Sequence, residues 1–140
     1  MNLSKKIKRN IDKGKYFHIN KDIKTSVDFI FEIGGVNFLF EIDSNNAIKI
    51  IFGQYLLLNK VKDLPNNPFL VIVHCFKNFN KERTIKHLNF AKDNYGCKIP
   101  FAVLSESEWI EARFNISQVR FGSVKPVSHN MFSTFALHQN

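Results

Sequence analysis

The chain has 140 residues, 44% hydrophobic and 14% aromatic, with six Gly and four Pro, a composition that fits one ordinary globular domain and excludes collagen, linker and low-complexity classes. At this length folding hides about 68% of the surface that the unfolded chain exposes, and the two cysteines, Cys75 and Cys97, cannot build the disulfide framework of a small secreted protein. Net charge is +8, and Lys5, Lys6, Lys8, Arg9, Lys13, Lys15, Lys21 and Lys24 against Asp12 and Asp22 place +6 of it in the first 24 residues, the footprint of a polyanion binder or of a solvated Lys-rich face.

Residues 3–13 carry Leu3, Ile7 and Ile11 at spacing four among lysines, a narrow apolar stripe that predicts a basic helix ending at Gly14. No apolar core of a secretion signal stands in the first 24 residues and no run reaches the length of a membrane span, so a cytoplasmic protein without membrane contact is expected. Residues 26–43, SVDFIFEIGGVNFLFEID, read as two strands about Gly34-Gly35, a pair that supplies the positive φ of a two-residue hairpin turn. Period-two alternation puts Phe29, Phe31, Ile33, Val36, Phe38, Phe40 and Ile42 on a core face. Ser44 or Asn45 can cap a helix reaching Lys60, with Ala47, Ile48, Ile51, Phe52, Tyr55 and Leu58 as its apolar side.

Pro65 and Pro68 interrupt the chain, and FLVIVHCF at 69–76 has the continuous apolarity of a strand covered on both faces. Asn80 can cap a helix carrying Ile85, Leu88, Ala91 and Tyr95, Gly96 stands where helices stop, and 99–104 reads as a second buried strand. Strand, helix, strand predicts a parallel crossover. Ser105 and Glu108 have the spacing of a capping box ahead of Trp109 and Ile110. The expected architecture is an α/β domain over 1–125, a mixed central sheet of hairpin plus parallel crossover flanked by helices, followed by a polar tail over 126–140.

A turn centred on Gly34-Gly35 makes the numbers of paired residues sum to 69, so Asp28 falls opposite Glu41. Like charges that close are unfavourable without a cation between them. Asp43 lies on the same face one pleat further, and Mg²⁺ or Mn²⁺ suits such a set of hard oxygen donors. The alternative is the wet face of an antiparallel hairpin, where acids are ordinary; Ile30 and Leu39 on that face argue that it is partly covered. His74 and Cys75 are adjacent in a strand and point to opposite faces, which excludes a shared metal or a Cys-His nucleophile there.

VDF at 27–29, FLF at 38–40, Glu41-Ile42-Asp43 and a helix with Gln54 and Tyr55 resemble the core of the PD-(D/E)XK nuclease superfamily over residues 15–105. The resemblance implies a restriction-endonuclease-like fold and a Mg²⁺-dependent DNA endonuclease. Asp28 and Glu41 would be its metal-binding acids, and Gln54 would match the helix glutamine of some branches. Asp43 stands where the family usually has Lys. Lys49, on the following helix, is the candidate replacement, because helical side chains lean back toward the N-terminus. Lys5, Lys6, Lys8, Arg9, Lys13 and Lys15 would hold the nucleic-acid backbone, and a homodimer would let so small a chain cut both strands. The missing lysine leaves a second expectation open, a noncatalytic nucleic-acid or protein-binding module on the same fold, and a third is an unrelated α/β interaction protein.

Overall fold

The computed structural model describes residues 15–45 and 47–111. The basic helix and the tail expected at 3–13 and 126–140 lie outside the described residues. The elements are β1 (Lys15–His18), β2 (Lys24–Val27), β3 (Phe29–Ile33), β4 (Val36–Asp43), α1 (Ile48–Leu58), β5 (Pro68–His74), α2 (Lys81–Asn94) and β6 (Phe101–Ser105), followed by helical residues 106–111. β3, β4, β5 and β6 lie in that order in one mixed sheet, and β1 and β2 form a separate two-stranded ribbon. β3 runs antiparallel to β4, whereas β4–β5 and β5–β6 are parallel. Among the described residues, no helix is long and apolar enough to cross a membrane.

The turn behaves as its glycines require. Gly34 and Gly35 have φ of 57° and 83°, the left-handed pair of a type I′ turn, and the register runs from Ile33↔Val36 to Phe29↔Phe40, every pair summing to 69 as expected. The start of the first hairpin strand is different. Ser26 and Val27 belong to β2 and pair with β1, and the chain changes sheets at Asp28. The ribbon was hidden in the basic segment, because only Phe17, Thr25 and Val27 of its side chains are buried.

Both faces of the sheet are core. One gathers Phe38, Phe40, Ile42, Val71, Val73, Ala102 and Leu104 with Trp109, whose ring lies 4.7 Å from that of Phe40. The other sets Leu39, Leu70, Ile72 and Val103 against Ile51, Tyr55 and Leu58 of α1, Leu88 and Ala91 of α2, and Phe17 and Val27 of the ribbon. Burial on two sides explains the continuous apolar sequence of β5. It also settles the face that carries the acids: Leu39 is 0% exposed, so this side of the hairpin is covered and not wet.

Local signals hold most of the remaining joints. Asn80 caps α2 through Arg83 N–H at 3.0 Å, and Gly96, with φ 69°, follows its end. Ser105 N–H donates to Glu108 Oε1 at 2.9 Å while Glu108 N–H donates to Ser105 Oγ at 3.1 Å, the reciprocal bonds of a capping box. α1 departs from expectation. It starts at Ile48 with no side-chain cap, so neither Ser44 nor Asn45 serves it, and Asp43 Oδ1 instead accepts the N–H groups of Asn45 and Ala47, each at 3.3 Å.

A Cβ at Gly35 would meet no atom within 4 Å, so a side chain there costs only backbone strain. Gly35→Val is expected to destabilise by about 1–2 kcal/mol, whereas Gly53→Ala, in open space within α1, should stabilise by roughly 0.5–1 kcal/mol. Urea denaturation of both variants checks the opposite signs; a neutral Gly35→Val would contradict the turn.

Candidate functional site

The site begins where β4 outlasts β3. Pairing with β3 stops at Phe40, and Glu41, Ile42 and Asp43 continue beside Ile72, Val73 and His74 of β5 only. Asp28 takes over from the missing strand. Its N–H donates to Phe40 O at 2.8 Å, and its carboxylate Oδ2 accepts Ile42 N–H at 2.7 Å, a short charge-assisted contact. Asp28 and Glu41 are therefore neighbours, though not a regular ladder pair.

Glu41 is enclosed by the elements around it, and its proton affinity records the result. Burial, then the charge of Asp28 and to a smaller degree that of Asp43, push its pKa from the usual 4.5 up to about 7, against hydrogen bonding from Gln54 and the Asp28 backbone. Gln54 stands on α1 with its amide Nε2 donating to Ser26 O at 2.7 Å. That bond fixes which end of the amide is which, since the Ser26 carbonyl can only accept. The other end, Gln54 Oε1, is buried without a hydrogen-bond partner. Asp28, Glu41 and Gln54 thus come together from the β2–β3 junction, β4 and α1.

Asp43 faces the same layer but is engaged elsewhere. His74 Nδ1 donates to its Oδ2 at 2.8 Å, and His74 Nε2 meets Thr84 Oγ1 at 2.9 Å. Burial would raise the Asp43 pKa, yet the His74 hydrogen bond and the Asn45 and Ala47 N–H groups together hold it below the usual carboxylate value. Phe79 stacks on the imidazole at 5.2 Å and Phe76 meets it edge-on at 5.4 Å. Carboxylate, imidazole and hydroxyl stand in the order of a nucleophilic triad, but Thr84 is 2% exposed and its hydroxyl closes the chain inside the layer. Cys75 is in the cluster on the opposite face, as strand alternation requires.

Sequence reasoning missed His74 and Thr84 as partners of Asp43. The signal available was weak: two polar residues on otherwise apolar faces, 31 and 10 positions from the groups they bind. Lys49 is exposed and stands in the first turn of α1. Lys15 is exposed on β1, while Lys5, Lys6, Lys8, Arg9 and Lys13 lie outside the described residues. No group of three or more His, Cys, Asp or Glu among the described residues is arranged to hold a metal ion. The hard oxygen donors brought together here are the carboxylates of Asp28 and Glu41, the donor type that suits a divalent cation.

A raised acid pKa has a definite sign in stability. The Glu41 contribution is fully present below the unfolded value near 4.5 and is lost as pH rises through about 7, a change on the order of 3 kcal/mol. Glu41→Gln removes that loss, so the variant should gain on the wild type between pH 5 and pH 8. Parallel stability curves in urea over that range would show that Glu41 titrates normally.

Comparison with protein-family models, curated proteins and solved structures finds no match to this chain.

Proposed function

We propose that the chain is a metal-dependent DNA endonuclease that hydrolyses phosphodiester bonds, built on a restriction-endonuclease-like sheet of the PD-(D/E)XK kind. The observation that carries this reading is the half-buried Glu41 beside Asp28, with a pKa pushed up to about 7 and, among the described residues, no cation in the groups that act on it. Two acids this close favour a divalent ion over two separate negative charges. Asp28 and Glu41 would hold Mg²⁺ or Mn²⁺, with Gln54 donating its amide N–H beside them. When bound, such an ion polarises a phosphoryl oxygen and lowers the pKa of coordinated water.

The residues of the chain prepare the site for that ion and for the phosphate. The Ile42 N–H fixes the Asp28 carboxylate, and the Ser26 carbonyl fixes the Gln54 amide, so neither group has to reorganise on binding. Asp43, bound to His74 and to the turn at Asn45 and Ala47, anchors the start of α1, whose first turn carries Lys49. Lys49 is the cation we assign to orient water or offset charge developing on the phosphate, in place of the family's motif lysine. Lys5, Lys6, Lys8, Arg9, Lys13 and Lys15 would supply sequence-independent phosphate contacts, and a homodimer would present two sites to the two strands.

A second reading rests on one feature: an acid engaged by His74 occupies the motif's lysine position, and the nearest replacement, Lys49, is exposed to solvent. On that reading the fold binds nucleic acid or protein without cutting.

Asp28→Asn and Glu41→Ala are expected to abolish Mg²⁺-dependent nicking of plasmid DNA while retaining the wild-type circular dichroism. Asn is the better replacement at 28, because Ala would leave the Ile42 N–H without its acceptor at a cost of about 1–3 kcal/mol. Equal cleavage by wild type and both variants would remove the site from the reaction. Lys49→Ala should lower the cleavage rate about 10²–10³-fold with little change in DNA binding. A wild type that binds DNA but never cleaves it with Mg²⁺ or Mn²⁺ would establish the noncatalytic reading.

A further inference from the structure

The β1–β2 ribbon has two unlike faces. Phe17, Thr25 and Val27 are buried on the inner one, where Phe17 and Val27 join the cluster of Ile51 and Tyr55. The outer face carries the pairs Tyr16↔Ser26 and His18↔Lys24. Tyr16 is 57% exposed, and the Lys24 ammonium lies 4.9 Å from its ring centroid. Lys21 is exposed in the turn at the ribbon's tip, and Asp22 is the sole acid between residues 15 and 27.

This face is held in a fixed place. Asn20 Oδ1 accepts the N–H groups of Asp22 and Ile23, each at 2.8 Å, and Ile19 N–H donates to Ile23 O at 2.9 Å, which closes the turn at the ribbon's tip. At its other end the ribbon runs directly into Asp28, and the Ser26 carbonyl holds the Gln54 amide. The ribbon is thereby tied to the strand junction that carries Asp28.

We propose that the outer face of the ribbon is a contact for single-stranded nucleic acid, with Tyr16 stacking on an unpaired base while Lys24 and, at the ribbon's tip, Lys21 meet its phosphates. The inference deepens the nuclease reading and rests on it: it names a substrate with an unpaired segment. Lysines alone would serve duplex and single strand alike, since both present phosphates. The exposed ring makes the distinction. Bases inside a duplex already stack on their neighbours, whereas an unpaired base offers a free π-face to an aromatic side chain. Charge complementarity selects a polyanion, and the aromatic residue among the cations selects its unpaired form.

The test is fluorescence anisotropy in EDTA, with labelled oligothymidylate and a blunt duplex of equal length as probes. Tyr16→Ala should weaken binding of the single strand about 5- to 150-fold and leave duplex binding unchanged, while Tyr16→Phe, which keeps the ring, should bind like the wild type. Lys24→Ala should reduce the logarithmic salt slope on the single strand by about 0.7 for one lost phosphate contact. The proposal fails if Tyr16→Ala binds oligothymidylate as the wild type does, or if it loses single strand and duplex equally. Wild-type cleavage of plasmid with Mg²⁺ alongside either of those results would refute the ribbon contact and spare the nuclease reading. A wild type that binds neither probe and cleaves nothing would refute both.

Discussion

β4 is three residues longer than the strand it pairs with on one side, and the hydrogen-bonding groups of that overhang have to be met by something other than a strand. β5 serves one side through to Asp43, whose carbonyl accepts Cys75 N–H at 2.8 Å. On the other side a single residue does the work of a strand end: Asp28 donates its own N–H to Phe40 and accepts Ile42 N–H with its carboxylate. Buried backbone groups are rarely left unpaired, so a short acceptor side chain at this position is a requirement of the sheet before it is a feature of any site. The carboxylate stands beside Glu41 because the ladder needs it there.

Cover completes what that mismatch starts. α1 lies over the acid-bearing face through Ile51, Tyr55 and Leu58 and brings Gln54 with it, and the ribbon adds Phe17 and Val27. The same burial that stabilises the apolar part of this layer disfavours charge on Glu41. Burial of the apolar layer and ionisation of Glu41 thus pull in opposite directions. The end of α1 is in turn tied to the segment that leads into β6: Asn59 Oδ1 accepts the N–H groups of Lys98 and Ile99 at 2.7 and 3.0 Å, and the Tyr55 hydroxyl donates to Ile99 O. Gln54 therefore rides on a helix whose far end is fixed independently of the site.

Much of this was legible where chemistry is local. The Gly34-Gly35 turn set the hairpin register, the Asn80 cap and the Ser105–Glu108 box marked helix starts, and strand alternation separated His74 from Cys75. The parts that escaped depend on distance or on an unusual partner. The ribbon lacks the alternating apolar run of a typical strand, since its outer face is Tyr, His and Lys, and its turn is closed by an Asn side chain instead of glycine. The start of α1 has no side-chain cap, and the Asp43 carboxylate of the preceding strand instead holds the turn that leads into it. Asp43 was placed on the right face, but its engagement by His74 arises from parallel pairing with a strand 31 residues away. Parallel register has no turn to announce it.

The chain of Asp43, His74 and Thr84 threads three elements, β4, β5 and α2, through a layer that is otherwise hydrocarbon. His74 is held between Asp43 and Thr84, and Asp43 also accepts the Asn45 and Ala47 N–H groups, so replacing one member alone leaves a buried polar group stranded, and an apolar exchange of the set has to supply the turn with another acceptor. The three positions therefore form a single unit of permissible sequence change. Drift through one-residue steps must cross a less stable intermediate, and lineages of this fold should carry the polar set intact or have exchanged it as a block.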